Sequence, residues 1–230
     1  MLRRESNRTT EMLFCFALLF FWKQRREDFL IPENQNEGSE WKKMNQRFYD
    51  MLEENPVIAA VKDEEGLEKC CGLEDIKVVF ILFGDLCSIP DLVGRIKESG
   101  KMAVVHADLI TGLGSREIAV DFIKKATQAD GIISTKPALI KRGRELGMFT
   151  VMRYFLIDSM ALENVRTLPG GVRPDVIEIL PGLMPDIIRN ICQDLKTPII
   201  AGGLLQTENP LWLHCRQEHC VFLPQTRMSG

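Results

Sequence analysis

Short runs of consecutive apolar residues recur along the middle of the chain. They are VIAAVK at 57–62, VVFILFG at 78–84, MAVVHADL at 102–109, GIISTK at 131–136, FTVMRYFLI at 149–157, VIEIL at 176–180 and PIIAGG at 198–203. Continuous runs, as opposed to alternating ones, predict strands buried on both faces, the signature of a parallel sheet. Between them the pattern turns helical. Pro90 sits at a helix start, Leu92, Val93 and Ile96 share a face, and Gly100 ends the helix. Ser115 is placed to cap a helix with a stripe of Ile118, Ala119, Phe122, Ile123 and Ala126, and Pro185 opens another with Ile187, Ile188, Ile191 and Leu195 facing inward. Strand starts lie about 20 to 30 residues apart, the size of one βα unit. Seven such units predict an α/β fold, a (β/α)₈ barrel of the TIM type. A flavodoxin-like open sheet is the competing fold, but it normally uses five or six strands. The eighth strand is due near residues 220–225, where VFLP is a feeble candidate. The eighth βα unit is therefore read as missing or replaced.

The two ends differ in composition from this repeat. Trp22, Trp41 and Trp212, with His214 and His219, all lie outside residues 44–205. An apolar run from Met12 to Trp22 stands between Arg3, Arg4 and Arg8 on one side and Lys23, Arg25 and Arg26 on the other. It is shorter than the roughly 20 residues that cross a bilayer, and no small-residue cleavage site follows it. Residues 27–43 read as a polar linker, and an amphipathic helix, MNQRFYDMLEEN, begins at Met44. The expected organisation is an extension and linker outside the fold at 1–43, a barrel domain at 44–205 and an aberrant tail at 206–230. Translation from Met44 is the preferred explanation of the first segment, and a membrane-tethering helix is its alternative. In the tail, His214, Cys215, His219 and Cys220 lack the second ligand arm that a structural zinc site requires.

Composition narrows the function classes. With 29 Lys and Arg against 32 Asp and Glu, the net charge of −3 excludes a chain-wide basic coat, so any nucleic-acid contact must be local. One such locus exists. Lys124 to Arg153 holds seven basic residues against Asp130 and Glu145, and Lys141, Arg142 and Arg144 crowd the segment KRGR. It reads either as a solvated helix face or as a contact for an RNA backbone. The seven cysteines are odd in number and scattered, as in a reduced, cytoplasmic protein.

In a barrel, function gathers at the C-terminal ends of the strands. Those ends supply His106 and Asp108, Lys136, Arg153, Glu178 and the pair Gly202–Gly203. Glycines after the seventh strand let backbone N–H groups close around a phosphate, or else serve a tight turn. His106 and Asp108, two residues apart on one strand face, suit an acid–base pair, ligand-orienting groups or a self-satisfied buried pair. Lys136, Arg153 and Glu178 suit anion binding, catalysis or an interior ion-pair network. No metal motif, cofactor fingerprint or nucleophile elbow accompanies them.

HADLITGL at 106–113, GIISTK at 131–136, RYFLIDSMA at 153–161, PDVIEILPGLMP at 174–185 and TPIIAGGLL at 197–205 together resemble the glycerol uptake operon antiterminator family. The resemblance covers residues 44 to about 205. It implies a (β/α)₈ barrel that binds glycerol 3-phosphate at its rim and, when liganded, stabilises a leader mRNA so that transcription passes a terminator. It implies no catalysis and no cofactor beyond the effector. The family's phosphate-type loop falls on Gly202 and Gly203, and its inward polar positions fall on His106, Asp108, Lys136, Arg153 and Glu178. The RNA face is placed on Lys141, Arg142 and Arg144 from their charge alone. Both ends depart from the family pattern, and the replaced eighth unit puts half of the phosphate cradle in question. The competing functions are a barrel enzyme for a small phosphorylated substrate, with His106 or Lys136 as acid–base, and a non-functional remnant.

Overall fold

The computed structural model describes residues 15–20 and 39–203. Two elements precede the repeat, strand β1 (Cys15–Phe20) and helix α1 (Ser39–Glu54). The repeat itself runs β2 (Val57–Val61), α2 (Glu64–Gly72), β3 (Val78–Ile81), α3 (Ile89–Glu98), β4 (Met102–His106) and α4 (Glu117–Ala126). It continues with β5 (Gly131–Ser134), α5 (Pro137–Glu145), β6 (Phe149–Phe155), α6 (Ser159–Thr167), β7 (Val176–Leu180), α7 (Pro185–Asp194) and β8 (Ile199–Ala201). Each apolar run singled out in the sequence is thus a strand. All seven are parallel, each hydrogen-bonded to the next, in a curled sheet.

The parallel repeat does not close on itself. Its two edges, β2 and β8, both pair with β1, which runs antiparallel to each. Cys15 to Leu18 stand opposite Ala60 to Val57, and Leu18 to Phe20 opposite Ala201 to Ile199. Part of the segment read as lying outside the fold therefore occupies the seam where an eighth parallel strand would stand. α1 likewise begins upstream of Met44. The VFLP strand candidate, the cysteine–histidine cluster and the tail at 206–230 lie outside the described residues. Among the described residues no helix is long and apolar enough to cross a membrane.

Side chains alternate between two environments along the strands, as the pleat requires. Ile58, Ala60, Val78, Phe80, Met102, Val104, Ile133, Phe149, Val151, Val176 and Ile200 pack together inside the curl. Their neighbours Val57, Ala59, Val61, Val79, Ile81, Ala103, Val105 and Ile132 pack with the helices outside. α1 seals the end of the barrel where the strands begin. Its Phe48 stacks on Phe149, the first residue of β6, with ring centroids 4.0 Å apart, and Leu52 joins the same cluster. Asn45 Nδ2 also donates to the Asp175 carboxylate, 3.2 Å away, just before β7. The closed end leaves the opposite mouth, at the strand C-termini, as the place for a site.

Two helix details differ from the expected pattern. α4 starts at Glu117 behind Arg116, and it buries Ala119, Val120 and Ile123 while Ile118 is exposed. Ser115 is not its cap, because its hydroxyl is engaged by Lys136. α7 buries Ile188 and Ile191, whereas Ile187 turns outward.

Candidate functional site

Continuing the alternation upward from the apolar interior brings a polar layer. Above Val104 on β4 comes His106, above Val151 on β6 comes Arg153, and above Val176 on β7 comes Glu178. All three are enclosed, with 3%, 6% and 2% of their surface exposed. Arg153 and Glu178 are register partners, and the Arg153 Nε–H donates to Glu178 Oε2 at 2.7 Å. Burial pushes the Glu178 carboxyl above its ordinary range, and the adjacent guanidinium opposes that rise. Burial, reinforced by the positive charge of Arg153, lowers His106 from 6.5 to about 4 against the weaker pull of Asp108. His106 is therefore a neutral imidazole at physiological pH. Its Nδ1 is buried with no hydrogen-bond partner among the described residues.

Asp108 does not share the strand face of His106 as its spacing predicts. β4 ends at His106, the chain turns, and the Asp108 carboxylate lands on the end of β5. There it accepts from the Ser134 hydroxyl at 3.0 Å, the Thr135 N–H at 2.7 Å and the Thr135 hydroxyl at 3.0 Å. Burial works against its charge, but these donors prevail and hold the carboxyl below its ordinary value. Lys136, the residue before α5, places Nζ 3.5 Å from Asp108 Oδ1 and on the hydroxyl of Ser115. Asp108 is thus a positioning group that ties two rim loops together and orients a half-exposed ammonium. Ser115, Ser134 and Thr135 belong to this cluster. Ser134 and Thr135 lie within the run GIISTK, and the contact of Ser115 spans 21 positions, which no local pattern reveals.

The glycines form the third part of the mouth. A Cβ on Gly202 would lie 2.6 Å from Glu178 Oε1, so the chain passes this carboxylate at a distance that only glycine permits. Gly203 follows with φ +69°. The loop after β7 is held against this turn by a hydrogen bond of 2.6 Å from the Gly182 N–H to the Gly202 carbonyl. Strand ends β4, β6, β7 and β8 therefore bring His106, Arg153, Glu178 and Gly202 to one mouth, with Lys136 at its margin.

The basic segment of α5 is placed differently from a free basic patch. Arg142 grips Asp121 on α4 with two hydrogen bonds, 3.0 Å from Nε and 2.7 Å from Nη2, and reaches Glu145 at 3.0 Å. Arg144 donates to the Arg173 carbonyl at 2.7 Å, lies 3.6 Å from Asp175 and stacks 4.9 Å above the Trp41 ring. Arg142 thus ties α5 to α4, and Arg144 ties α5 to α1 and to the segment before β7. Lys141 is exposed. Among the described residues no group of three His, Cys, Asp or Glu side chains is arranged to hold a metal ion.

A neutral imidazole, a buried guanidinium–carboxylate pair and an ammonium suit recognition of a small polar anion. Comparison with known proteins points the same way. An Escherichia coli (strain K12) protein, the uncharacterized YgcP, is 40% identical over 158 residues, which is 69% of this chain and 82% of that protein. The crystal structure of the glycerol uptake operon antiterminator regulatory protein from Listeria monocytogenes superposes with a TM-score of 0.65 at 30% identity, covering 74% of this chain and 91% of that one. A glycerol uptake operon antiterminator-related protein from Thermotoga maritima gives a TM-score of 0.59 at 32% identity, covering 74% and 94%. The family model for the glycerol-3-phosphate responsive antiterminator matches residues 57–213. With its fold and most of its length matched in this way, the chain belongs to the glycerol-3-phosphate responsive antiterminator family.

Proposed function

We propose that the chain is a cytoplasmic, non-catalytic regulator that binds glycerol 3-phosphate at the mouth of its barrel and, in that state, binds and stabilises the leader mRNA of a glycerol-utilisation operon. The observation that carries this reading is the enclosed polar layer of His106, Arg153 and Glu178 above an apolar interior, in a chain of this family. Arg153 and Lys136 supply positive charge for the phosphate, Gly202 and Gly203 supply backbone approach, and Asp108 fixes the loop that carries Lys136. A general acid at neutral pH needs a pKa near 7, and a His106 held near 4 does not supply one, so the barrel-enzyme alternative would rest on Lys136. RNA would meet the outside of the barrel near α5, with Lys141 as the exposed contact and Arg142 and Arg144 supporting the helix.

Effector and RNA act on one equilibrium if the effector binds the RNA-competent state better. Fluorescence anisotropy of a labelled leader RNA, titrated with the full chain with and without glycerol 3-phosphate, tests this. Tighter binding with the effector supports the reading, and RNA affinity indifferent to it contradicts the reading. Turnover of a phosphorylated triose or polyol by the chain would overturn its non-catalytic part.

A further inference from the structure

We propose that His106 reads a hydroxyl group of the effector, and so separates a polyol phosphate from a phosphate ester that lacks hydroxyls. The inference rests on the effector reading above and divides that site into two chemistries.

Buried polar atoms in folded proteins are almost always paired, and Nδ1 of His106 is an exception here. The carboxylates of this layer are engaged by other donors. Asp108 receives Ser134, Thr135 and Lys136, and Glu178 receives Arg153. The strand alternation sends the imidazole inward, into the same enclosure as the Arg153–Glu178 pair. The unmatched atom thus stands in the layer that would meet a ligand. A neutral imidazole nitrogen accepts in one tautomer and donates in the other, which matches a hydroxyl, itself both donor and acceptor. A phosphate dianion only accepts, and charged donors serve it best. Arg153 and Lys136 are those donors. Recognition is therefore split between a neutral hydroxyl reader on β4 and cationic phosphate holders on β6 and just before α5.

Calorimetric titration of the full chain with glycerol 3-phosphate and with propyl phosphate, which carries the same ester and no hydroxyl, tests the division. The unmodified chain should prefer glycerol 3-phosphate by about tenfold or more, the worth of a hydrogen bond to a buried group. His106→Phe should erase that preference while leaving the affinity for propyl phosphate within about twofold. His106→Asn, which restores a polar atom near the place of Nδ1, should recover part of it. Equal loss of both ligands in His106→Phe would show that the residue only shapes the site, and would overturn the assignment. Equal affinities in the unmodified chain would overturn it while leaving the effector reading intact. Binding of neither ligand would remove the effector reading and this inference with it. A readout free of mutation is the ¹⁵N resonance of the His106 ring. It should move with glycerol 3-phosphate and stay in place with propyl phosphate, and the same shift with both would contradict the proposal.

Discussion

Arg153 and Glu178 face each other in register across β6 and β7, with the guanidinium Nε 2.7 Å from the carboxylate oxygen and both side chains closed off from water. A pair so placed is costly to break from one side, because the surviving charge is left buried, but it is often replaceable as a whole. Arg153→Met should therefore lower unfolding stability by about 3–5 kcal/mol in a denaturant titration. The double replacement Arg153→Met with Glu178→Leu should regain most of that loss yet still fail to bind glycerol 3-phosphate. A double variant as unstable as Arg153→Met alone would show that the pair's hydrogen bond, and not charge burial, dominates.

Gly202 gives a second, steric test of the mouth. An alanine there would bring its Cβ to 2.6 Å from Glu178 Oε1, while Arg153 anchors the other carboxylate oxygen. The carboxylate or the turn must move. Gly202→Ala should cost about 1–3 kcal/mol of stability from overpacking and weaken glycerol 3-phosphate binding at least tenfold. Gly72→Ala, at the end of α2 with nothing within 4 Å, is the control. It should bind the effector normally and be as stable as the unmodified chain or slightly more so.

The depressed pKa of His106 makes a signed prediction about acid. The folded chain holds this group near 4, while the unfolded chain takes up the proton at 6.5, so the unfolded state binds more protons between those values. The contribution of His106 to stability is complete above pH 6.5 and is lost as pH falls toward 4. A difference of about 2.5 units corresponds to roughly 3 kcal/mol. Arg153 and Lys136 face the imidazole with positive charge and Asp108 with negative charge, and the raised carboxyls of Glu178 and Asp175 act in the opposite sense on the total. The measurement is therefore a difference. Between pH 7.5 and 4 the stability of the unmodified chain should fall relative to that of His106→Phe, and a difference independent of pH would contradict the neutral imidazole.

On α5, stability and RNA binding should separate. Arg144→Ala removes a guanidinium that spans Trp41, the Arg173 carbonyl and Asp175, and should cost about 1–3 kcal/mol by thermal unfolding. Lys141→Glu changes an exposed side chain and should leave stability within about 0.5 kcal/mol. If the RNA face lies here, Lys141→Glu alone weakens RNA affinity in a properly folded protein, and unchanged affinity would remove α5 from the interface.

The seven parallel strands were legible because a strand covered on both faces needs an unbroken apolar run, and each run leaves that mark in the sequence. β1 was not legible as part of the sheet. Its CFALLF run sits among charged flanks, apart from the βα rhythm, and its antiparallel partners lie at opposite ends of the repeat. The upstream part of α1 is hidden for the same reason, since Trp41 is buried beneath Arg144 of α5, a contact no local pattern shows. His106, Arg153 and Glu178 were legible as polar residues at the ends of apolar runs, and their inward orientation was implied by the family resemblance. The turn that carries Asp108 was not legible, because period-two reasoning ends where the strand ends. The KRGR segment shows a related limit. A charge run shows basic residues but not the distant Asp121, Arg173 and Asp175 that engage two of them.

The central claim, an effector site at the mouth of the barrel, is tested most directly by thermal unfolding of the full chain with increasing glycerol 3-phosphate, beside glycerol and inorganic phosphate. A ligand that binds only the folded state adds about 2.7 kcal/mol at a hundred times its Kd. For a chain of this size that raises Tm by several degrees, about 2–4 °C for each kcal/mol. Glycerol 3-phosphate should give such a rise, either control a far smaller one, and the Arg153→Met, Glu178→Leu double variant none. A cooperative transition that glycerol 3-phosphate leaves in place would contradict the claim.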